Sequence, residues 1–153
     1  MHSAAITGTG VFTPSEVITN DELVVAFNTY ADLWNAENAA AISAGEVEAK
    51  PHSAADFIVN ASGIERRHVL DKDGVLDPKR MFPRLAARAD DDPSIMAEMA
   101  LRAAEIALAE AGLTGADIDL VLCAASNHER AYPAIAVEIQ SLIGAGEIGR
   151  AHV

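Results

Sequence analysis

The residue with the greatest potential for covalent chemistry is the single cysteine of the sequence, Cys123. A cysteine is an effective nucleophile where a helix N-terminus or a neighbouring cation lowers its pKa. Cys123 lies instead within the apolar run 120–124, where a free cysteine is usually an unreactive packing residue. We therefore predict that Cys123 is not a nucleophile. A single cysteine also excludes an internal disulfide, as is typical of proteins from a reducing compartment.

Two glycine patterns resemble phosphate-binding loops but lack the surroundings that such loops require. The G-x-G at residues 8–10 has Thr13 at the third glycine position, and Pro14 follows where a helix should be under way. Residues 144–149 spell G-x-G-x-x-G, but they follow a helical pattern rather than a strand. Neither pattern predicts a dinucleotide site.

The segment 71–74, DKDG, resembles the beginning of a calcium-binding loop. The later ligand positions hold Val75, Asp77 and Lys79, and no bidentate glutamate follows them. We predict a turn at this point, with no metal and no cofactor. The following residues, 76–92, are expected to form an ordered loop with arginines at four-residue spacing, namely Arg80, Arg84 and Arg88.

The net charge argues against two classes of partner. The 153 residues include 11 Lys+Arg and 23 Asp+Glu, for a formal net charge of −12. Such a surface is unsuited to neutralising the phosphates of nucleic acids or an anionic membrane. No run approaches the roughly 18 apolar residues that cross a bilayer, and the first ten residues lack the pattern of a secretory signal. We expect a cytoplasmic protein with neither a nucleic-acid nor a membrane partner.

Helical patterns alternate with short apolar runs along the chain, which favours a layered α/β fold. Thr19 and Glu22 form a capping box before one helix, and Asp92 is the expected cap of a longer one that Gly112 ends. The weakly patterned residues 31–51 indicate a helical insertion or lid, and the favoured alternative is a surface excursion that Trp34 anchors. The predicted strands are residues 4–7, 64–70 and 120–124, and the predicted helices are residues 22–30, 53–61, 93–111 and 134–143.

The unit from Ser94 to Ser126, a helix, a glycine stop and a strand, organises the rest of this pattern. The strand 120–124 has no polar side chain, which predicts a sheet that is covered on both faces. The polar loop 127–133 follows at the carboxyl end of that strand, where open α/β sheets usually place their sites.

Five segments in order, ITGTGVFTP, ITNDEL, ASGIERRHV, MALRAAEIALAEAGLTGADIDLVLCAAS and AYPAIAVEIQSLIG, resemble the N-terminal half of β-ketoacyl-(acyl-carrier-protein) synthase III and its relatives in the thiolase superfamily. The resemblance implies two similar halves, each a sheet between helix layers, in a homodimer. Residues 1–146 would then form the N-terminal thiolase-like half-domain. It also implies decarboxylative condensation of an acyl-CoA or acyl-carrier-protein thioester with malonyl-acyl-carrier protein, in fatty-acid or related biosynthesis, with acyl-carrier protein as a partner.

In that family a cysteine nucleophile acts with a His and an Asn that stabilise oxyanions. The resemblance places all three beyond residue 153, so the chain alone is expected to be inactive. Alignment on residues 62–64 puts Phe57 and Ala61 where relatives that accept acetyl-CoA carry a Trp and an Arg against the CoA nucleotide. Phe57 is therefore a predicted substrate-binding residue, and we expect a primer other than acetyl-CoA, longer or carrier-bound.

Tyr132 matches an aromatic residue that, in the family, reaches across the dimer and limits the acyl pocket of the partner. It is the second predicted substrate-binding residue, and the alternative is an ordinary buried loop tyrosine. For His128 and for residues 66–68 (RRH), a solvated loop histidine and a charged strand face are favoured over catalytic or carrier-protein contacts.

The last seven residues, 147–153 (EIGRAHV), match the translation of a common sequencing adapter, GAGATCGGAAGAGCACACGTC. We expect a truncated reading frame whose tail at 147–153 is not native, and whose central strand exposes apolar surface for want of its other half. Two alternatives to the synthase remain. One is another thiolase-superfamily synthase, of the hydroxymethylglutaryl-CoA or polyketide/alkylquinolone type, and the other is a non-catalytic α/β binding module.

Overall fold

A computed structural model describes residues 4–127 and 129–146, together with the backbone of residues 149–152. The chain divides into two compact units, a first unit (Pro14–Ala86) and a second unit (Met1–Thr13 with Ala87–Val153). None of the described helices is long and apolar enough to cross a membrane. The elements in chain order are β1 (Glu16–Thr19), α1 (Asn20–Glu37), α2 (Ala39–Ser43), α3 (Ala55–Ser62), β2 (Arg66–Val69), α4 (Lys72–Leu76), α5 (Ile95–Ala111), a 3-10 turn (Gly115–Asp117), β3 (Leu120–Cys123), α6 (Ile135–Leu142) and β4 (Gly149–His152).

The first unit is built on the antiparallel pairing of β1 with β2, in which Glu16 lies opposite Val69. The predicted capping box at the start of α1 is confirmed. The Glu22 amide donates to Thr19 Oγ1 at 3.3 Å, and the Thr19 amide donates to Glu22 Oε2 at 2.9 Å. The helix continues past the predicted end at residue 30 as far as Glu37. Strand β1 was not predicted, whereas β2 falls within the predicted strand 64–70.

The predicted insertion at 31–51 consists of the second half of α1, the short helix α2 and a segment without regular structure. Its far end is tied back to α1 by the side chain of Asn35. The Asn35 amide oxygen accepts from the Lys50 amide at 2.8 Å, and its nitrogen donates to the Lys50 carbonyl at 3.0 Å. The Lys50 ammonium then lies 4.5 Å from the centre of the Trp34 ring, a cation–π contact.

Helix α3 ends at Gly63, whose φ of 70° is left-handed and favours glycine. The segment predicted as a simple turn at 71–74 is instead the start of α4. The Asp71 carboxylate caps this short helix, since it accepts from the Gly74 amide at 3.0 Å. The described residues contain no group of three or more His, Cys, Asp and Glu side chains that could hold a metal ion.

The core of the second unit lies where α5 and α6 pack on one face of β3. Strand β3 pairs in parallel with β4, with Leu120 opposite Gly149. Helix α5 ends at Gly112, as predicted, with a left-handed φ of 67°. That residues 147–153 are not native stays a prediction. The buried apolar cluster consists of Ala97, Val121, Ile135, Ala136 and Ile139.

The prediction that Asp92 caps α5 is wrong, because Ser94 occupies that position. The Ser94 hydroxyl accepts from the Ala97 amide at 3.1 Å, and its backbone is extended, as a capping residue requires. The Asp92 carboxylate accepts instead from the Ala89 amide at 3.1 Å, within the preceding loop.

The predicted strand at residues 4–7 is absent, and the N-terminal segment has no regular structure over its described residues. It approaches α5 so closely that a Cβ atom on Gly8 or Gly10 would overlap a helix carbonyl oxygen, that of Ala107 or Ala103 respectively. The Thr9 amide donates to the Glu110 carboxylate at 2.7 Å. The amide and hydroxyl groups of Thr9 thus donate to a side chain of α5 rather than to a neighbouring strand.

Strand β3 is covered on one face only, contrary to the prediction of a sheet covered on both. Val121 is buried, whereas Leu120 and Leu122 are 52% and 64% exposed. The two helices α5 and α6 lie on the Val121 side, which leaves the alternate side chains uncovered because successive residues of a strand point to opposite faces. The predicted exposure of apolar surface on this strand is confirmed.

Candidate functional site

Phe57, the first predicted substrate-binding residue, lies on α3 in the first unit and is 68% exposed. No residue of α3 is fully buried, so the helix is not held by an apolar core of its own. Its N-terminal capping residue is an alanine, Ala54, which provides no side-chain hydrogen bond, and its C-terminal capping residue is Gly63. A solvent-exposed phenyl ring on an ordered helix is a surface available for stacking on a ligand.

Tyr132, the second predicted residue, lies between β3 and α6 in the second unit and is 87% exposed. In this chain the side chain is exposed, whereas the alternative expectation was an ordinary buried loop tyrosine. Its loop is tied to the segment before α5, since Arg130 donates to the carbonyl oxygens of Asp90 and Asp92, both at 2.8 Å. The side chain of Tyr132 thus extends into solvent from a loop with a fixed base.

A buried polar network below this loop was not foreseen from the sequence. Glu138, on α6, accepts from the hydroxyl of Ser94 at 2.5 Å and from its amide at 3.3 Å. The Arg130 Nε lies 3.7 Å from the same carboxylate, whose side chain is only 7% exposed. The network joins the start of α5, the loop of Tyr132 and α6. The sequence gives no local signal for it, because its members are up to 44 positions apart.

Cys123 lies at the end of β3 and is half-buried. Burial raises the pKa of its thiol, since desolvation disfavours the thiolate. The strand position and the direction of this shift support the prediction that Cys123 is not a nucleophile.

The basic set at 66–68 contributes to the structure of the first unit. Arg67 donates to the Asn20 side-chain oxygen at 3.2 Å, and His68 Nδ1 lies 2.7 Å from the Pro14 carbonyl oxygen. Arg66 and His68 are exposed on strand β2, as expected for a charged strand face. His128 lies outside the described residues.

A second exposed aromatic in the first unit, Phe82, follows α4. It is 55% exposed, and the Arg80 guanidinium carbon lies 4.2 Å from the centre of its ring. The spacing of the arginines in this loop was noted from the sequence, but their association with Phe82 and with Asp71 was not. The Asp71 carboxylate accepts from Arg84 Nε and Nη2, both at 3.2 Å, and these bonds hold the pKa of Asp71 well below its usual range.

Comparison with known proteins identifies the relatives of this chain, although no protein-family model matches it. It is 51% identical over 119 residues, 78% of its length, to a β-ketodecanoyl-[acyl-carrier-protein] synthase of Pseudomonas aeruginosa, of which it covers 34%. It is 33% identical over 145 residues, 95% of its length, to a β-ketoacyl-[acyl-carrier-protein] synthase III of Granulibacter bethesdensis, of which it covers 31%. The crystal structure of 3-oxoacyl-[acyl-carrier-protein] synthase III from Aquifex aeolicus superposes on 97% of the chain with a TM-score of 0.62, at 20% identity, and the match covers 33% of that structure.

The backbone is therefore part of the α/β thiolase-like fold that these synthases share. The chain is similar in sequence to β-ketoacyl-[acyl-carrier-protein] synthases, and it spans about a third of the length of the curated relatives that it matches.

Proposed function

We propose that this chain is part of an acyltransferase that condenses an acyl thioester with malonyl-acyl-carrier protein. In this reaction a carbon–carbon bond forms between the acyl carbonyl carbon and the malonyl methylene carbon. The bond from that methylene carbon to the carboxylate breaks, as does the acyl carbon–sulfur bond of the donor. Carbon dioxide and a 3-ketoacyl thioester result, and the donor sulfur takes up a proton and leaves as a thiol. The proposal is carried by the 51% identity to a β-ketodecanoyl-[acyl-carrier-protein] synthase over 78% of the chain.

The nucleophile of this reaction is proposed to lie outside residues 1–153. Such chemistry needs a thiolate at neutral pH, and the single cysteine of the chain has a pKa that burial raises. Residues 1–153 would supply a scaffold and part of the wall of the substrate site, and the chain alone would be inactive.

We further propose that the acyl donor is medium-chain. The name of the P. aeruginosa relative specifies a ten-carbon ketoacyl product. Malonyl units contribute two carbons after loss of carbon dioxide, so such a product requires an eight-carbon donor. The presence of Ala61 where acetyl-CoA-accepting relatives are expected to carry arginine supports a donor other than acetyl-CoA.

In this proposal Phe57 and Tyr132 contact the acyl substrate in different ways. Phe57, on the exposed face of α3, would stack on the donor. Tyr132, whose side chain extends into solvent, would reach the acyl pocket of a second protomer in a cytoplasmic homodimer and limit its depth. Acyl-carrier protein would be the partner that delivers the malonyl group.

The test is to express the complete coding sequence that contains this chain and to measure carbon dioxide release from malonyl-acyl-carrier protein. Octanoyl-CoA should be preferred to acetyl-CoA by about tenfold or more in kcat/KM, which corresponds to about 1.4 kcal/mol of transition-state binding. A preference for acetyl-CoA contradicts the proposed donor. Absence of condensation with any acyl thioester contradicts the acyltransferase and favours the non-catalytic module.

Two variants of the complete protein separate the proposed roles. Phe57→Ala should raise KM for the donor, and Tyr132→Ala should extend the range of accepted chain lengths. Ile106→Ala is the matched control, because Ile106 is a 50% exposed apolar side chain on α5. Equal effects of all three variants would mean that the two aromatic residues have no specific contact with the substrate.

A further inference from the structure

Tyr132 is held by its loop and not by contacts of its own side chain. The side chain is 87% exposed, and the hydrogen bonds between backbone groups of the described residues include none to Ala131 or Tyr132. The position of the ring is therefore set by the residues that fix the loop on either side.

The segment before the exposed tyrosine is fixed by two charged side chains, Glu129 and Arg130. The Glu129 carboxylate accepts from the Met96 amide at 3.0 Å, and this amide belongs to the first turn of α5, where amides have no partner within the helix. The Arg130 guanidinium donates to the carbonyl oxygens of Asp90 and Asp92, both at 2.8 Å. Together these contacts join the loop to the first turn of α5 and to the segment that precedes it.

Glu138 determines the orientation of the Arg130 guanidinium. The two carbonyl oxygens lie at its Nη1 and Nη2 atoms, and its Nε atom lies 3.7 Å from the Glu138 carboxylate. Because a guanidinium is planar and rigid, partners at all three nitrogens allow it one orientation. The side chains of Arg130 and Glu138 are 23% and 7% exposed, so solvent screens the pair only weakly.

Glu138 is in turn fixed by Ser94, whose hydroxyl and amide both donate to its carboxylate. Glu138 lies in the first turn of α6, which begins at Ile135. Ile135 is buried in the core of the second unit, so the start of the helix is also fixed. Tyr132 thus lies between Arg130, two residues before it, and a buried helix start, three residues after it.

The pair of Arg130 with Glu138 is better suited to fixing a geometry than to adding stability. Removal of two charges from water costs about as much as their attraction returns, so a buried ion pair contributes little net stability relative to apolar residues of the same volume. The specification of one arrangement is a better-attested role of such buried groups. The arrangement that this pair specifies is the base of the loop from which Tyr132 extends.

We propose that Arg130 and Glu138 are positioning residues that set the chain-length limit of the acyl pocket through Tyr132. Neither contacts the substrate, and both fix the backbone that carries the aromatic ring. A misplacement of about 1 Å far from the chemistry can change a rate by about a hundredfold, so a loosened loop would no longer exclude longer acyl chains. The inference rests on the proposed function, in which Tyr132 limits the depth of the pocket.

The experiment compares octanoyl-CoA with dodecanoyl-CoA as donors for the complete protein. The ratio of kcat/KM for octanoyl-CoA to kcat/KM for dodecanoyl-CoA should fall by about fivefold or more in Arg130→Met and in Glu138→Gln, while kcat with octanoyl-CoA stays within about twofold. Arg130→Lys should restore only part of the selectivity, because an ammonium keeps the charge but not the planar fork that holds two carbonyl oxygens.

A double variant separates positioning of the tyrosine from a general effect on the protein. If Arg130 acts through Tyr132, Arg130→Met should cause no further loss of selectivity in a Tyr132→Ala background, because the effects of residues that act through one another do not add. A merely structural role of Arg130 would give losses that add.

Two single variants of the second unit are the controls. Arg102→Met is matched in side chain, since Arg102 is an exposed arginine on α5 that lies 3.8 Å from Glu105, and it should leave the ratio unchanged. Gly10→Ala controls for lost stability, since a Cβ at this position would overlap the carbonyl oxygen of Ala103. It should also leave the ratio unchanged.

Hydrogen exchange measured by mass spectrometry tests the positioning without recourse to activity. The amides of residues 129–132 should exchange about tenfold faster in Arg130→Met than in the unmodified complete protein, since fewer contacts then oppose local opening of the loop. The amides of α1, in the first unit, should exchange at the same rate in both proteins.

The inference is overturned by unchanged chain-length selectivity in both variants of the ion pair, by an equal change in either control, or by a further loss when Arg130→Met is added to Tyr132→Ala. Faster exchange of the loop amides with unchanged selectivity also overturns it, because the loop would then not set the limit. If the unmodified protein condenses octanoyl-CoA in any of these cases, the inference alone fails and the proposed function stands. Absence of condensation with any acyl thioester contradicts the proposed function, and the inference with it.

Discussion

The hydroxyl group of Ser94 donates a 2.5 Å hydrogen bond to the carboxylate of Glu138, 44 residues further along the chain. The same oxygen accepts from the Ala97 amide at 3.1 Å and so caps α5. Ser94 is 1% exposed and Glu138 is 9% exposed, so water cannot readily replace this hydrogen bond at either group. One buried hydroxyl therefore both caps the start of α5 and joins this helix to α6.

Replacement of Ser94 by alanine should lower the free energy of unfolding by about 2–4 kcal/mol. Loss of the cap costs about 1 kcal/mol, and a buried carboxylate deprived of a donor costs a further 1–3 kcal/mol, roughly. Urea denaturation followed by circular dichroism measures the change. Ser141→Ala, an exposed serine on α6, is the control and should stay within about 0.5 kcal/mol of the unmodified chain. Similar effects of the two variants would contradict a special role for Ser94.

The close approach of the N-terminal segment to α5 gives a second prediction. Because a Cβ on Gly10 would overlap the carbonyl oxygen of Ala103, Gly10→Ala should destabilise the second unit by about 1–3 kcal/mol or detach the segment. Limited proteolysis should then cleave the N-terminal segment faster. Gly146→Ala is the control, since a Cβ there meets no atom within 4 Å. Unchanged protease resistance in Gly10→Ala would show that the segment does not need this contact.

The sequence predicted those features whose determinants lie within a few residues. The capping box at Thr19 and Glu22 and the glycine stop at Gly112 depend on local backbone geometry, and both are confirmed. The cap of α5 was misassigned to Asp92 because the choice of Ser94 depends on a distant partner on α6. Strand β1 was missed for a similar reason, since its pairing partner β2 lies about 50 residues away.

The candidate site shows the same difference between features with local determinants and features that depend on distant contacts. Phe57 and Tyr132 were found through resemblance to a family, and the structure adds their exposure, which no local pattern encodes. Arg80 lies over the Phe82 ring in a loop where Met81 has a φ of 56° and the Asp71 carboxylate accepts from the Arg84 amide. Sequence spacing gave the arginines of this loop but could not give these tertiary contacts.

The ion pair of Glu22 with Lys72 gives a prediction about pH. The Lys72 ammonium lies 2.6 Å from the Glu22 carboxylate, and this bond, with those from Thr19, lowers the Glu22 pKa from 4.5 to about 2. A lowered folded-state pKa means that the stabilisation is fully present above about pH 4.5 and is lost as the pH falls toward about 2. Glu22→Gln should therefore flatten the dependence of stability on pH within this window.

Thermal unfolding of the two forms at a series of pH values between 2 and 6 would measure this flattening. Lys72→Met should give a smaller flattening of the same sign, because it removes the largest cause of the shift but leaves the bonds from Thr19. A pH profile that Glu22→Gln leaves unchanged would mean that the pair contributes nothing to acid stability.

The assignment of Cys123 as a packing residue predicts slow reaction with thiol reagents. Because burial raises the pKa of this thiol, less thiolate is present at a given pH than in an unhindered cysteine. Alkylation of the folded chain by iodoacetamide at pH 8 should be slower than that of glutathione by about tenfold. The midpoint of the increase in rate with pH should lie at a higher pH than for glutathione. The urea-unfolded chain is the control and should react like glutathione. A folded-state rate equal to or above that of glutathione would instead mark Cys123 as an activated thiol, and Cys123→Ala in the complete protein would then be expected to abolish condensation rather than to preserve it.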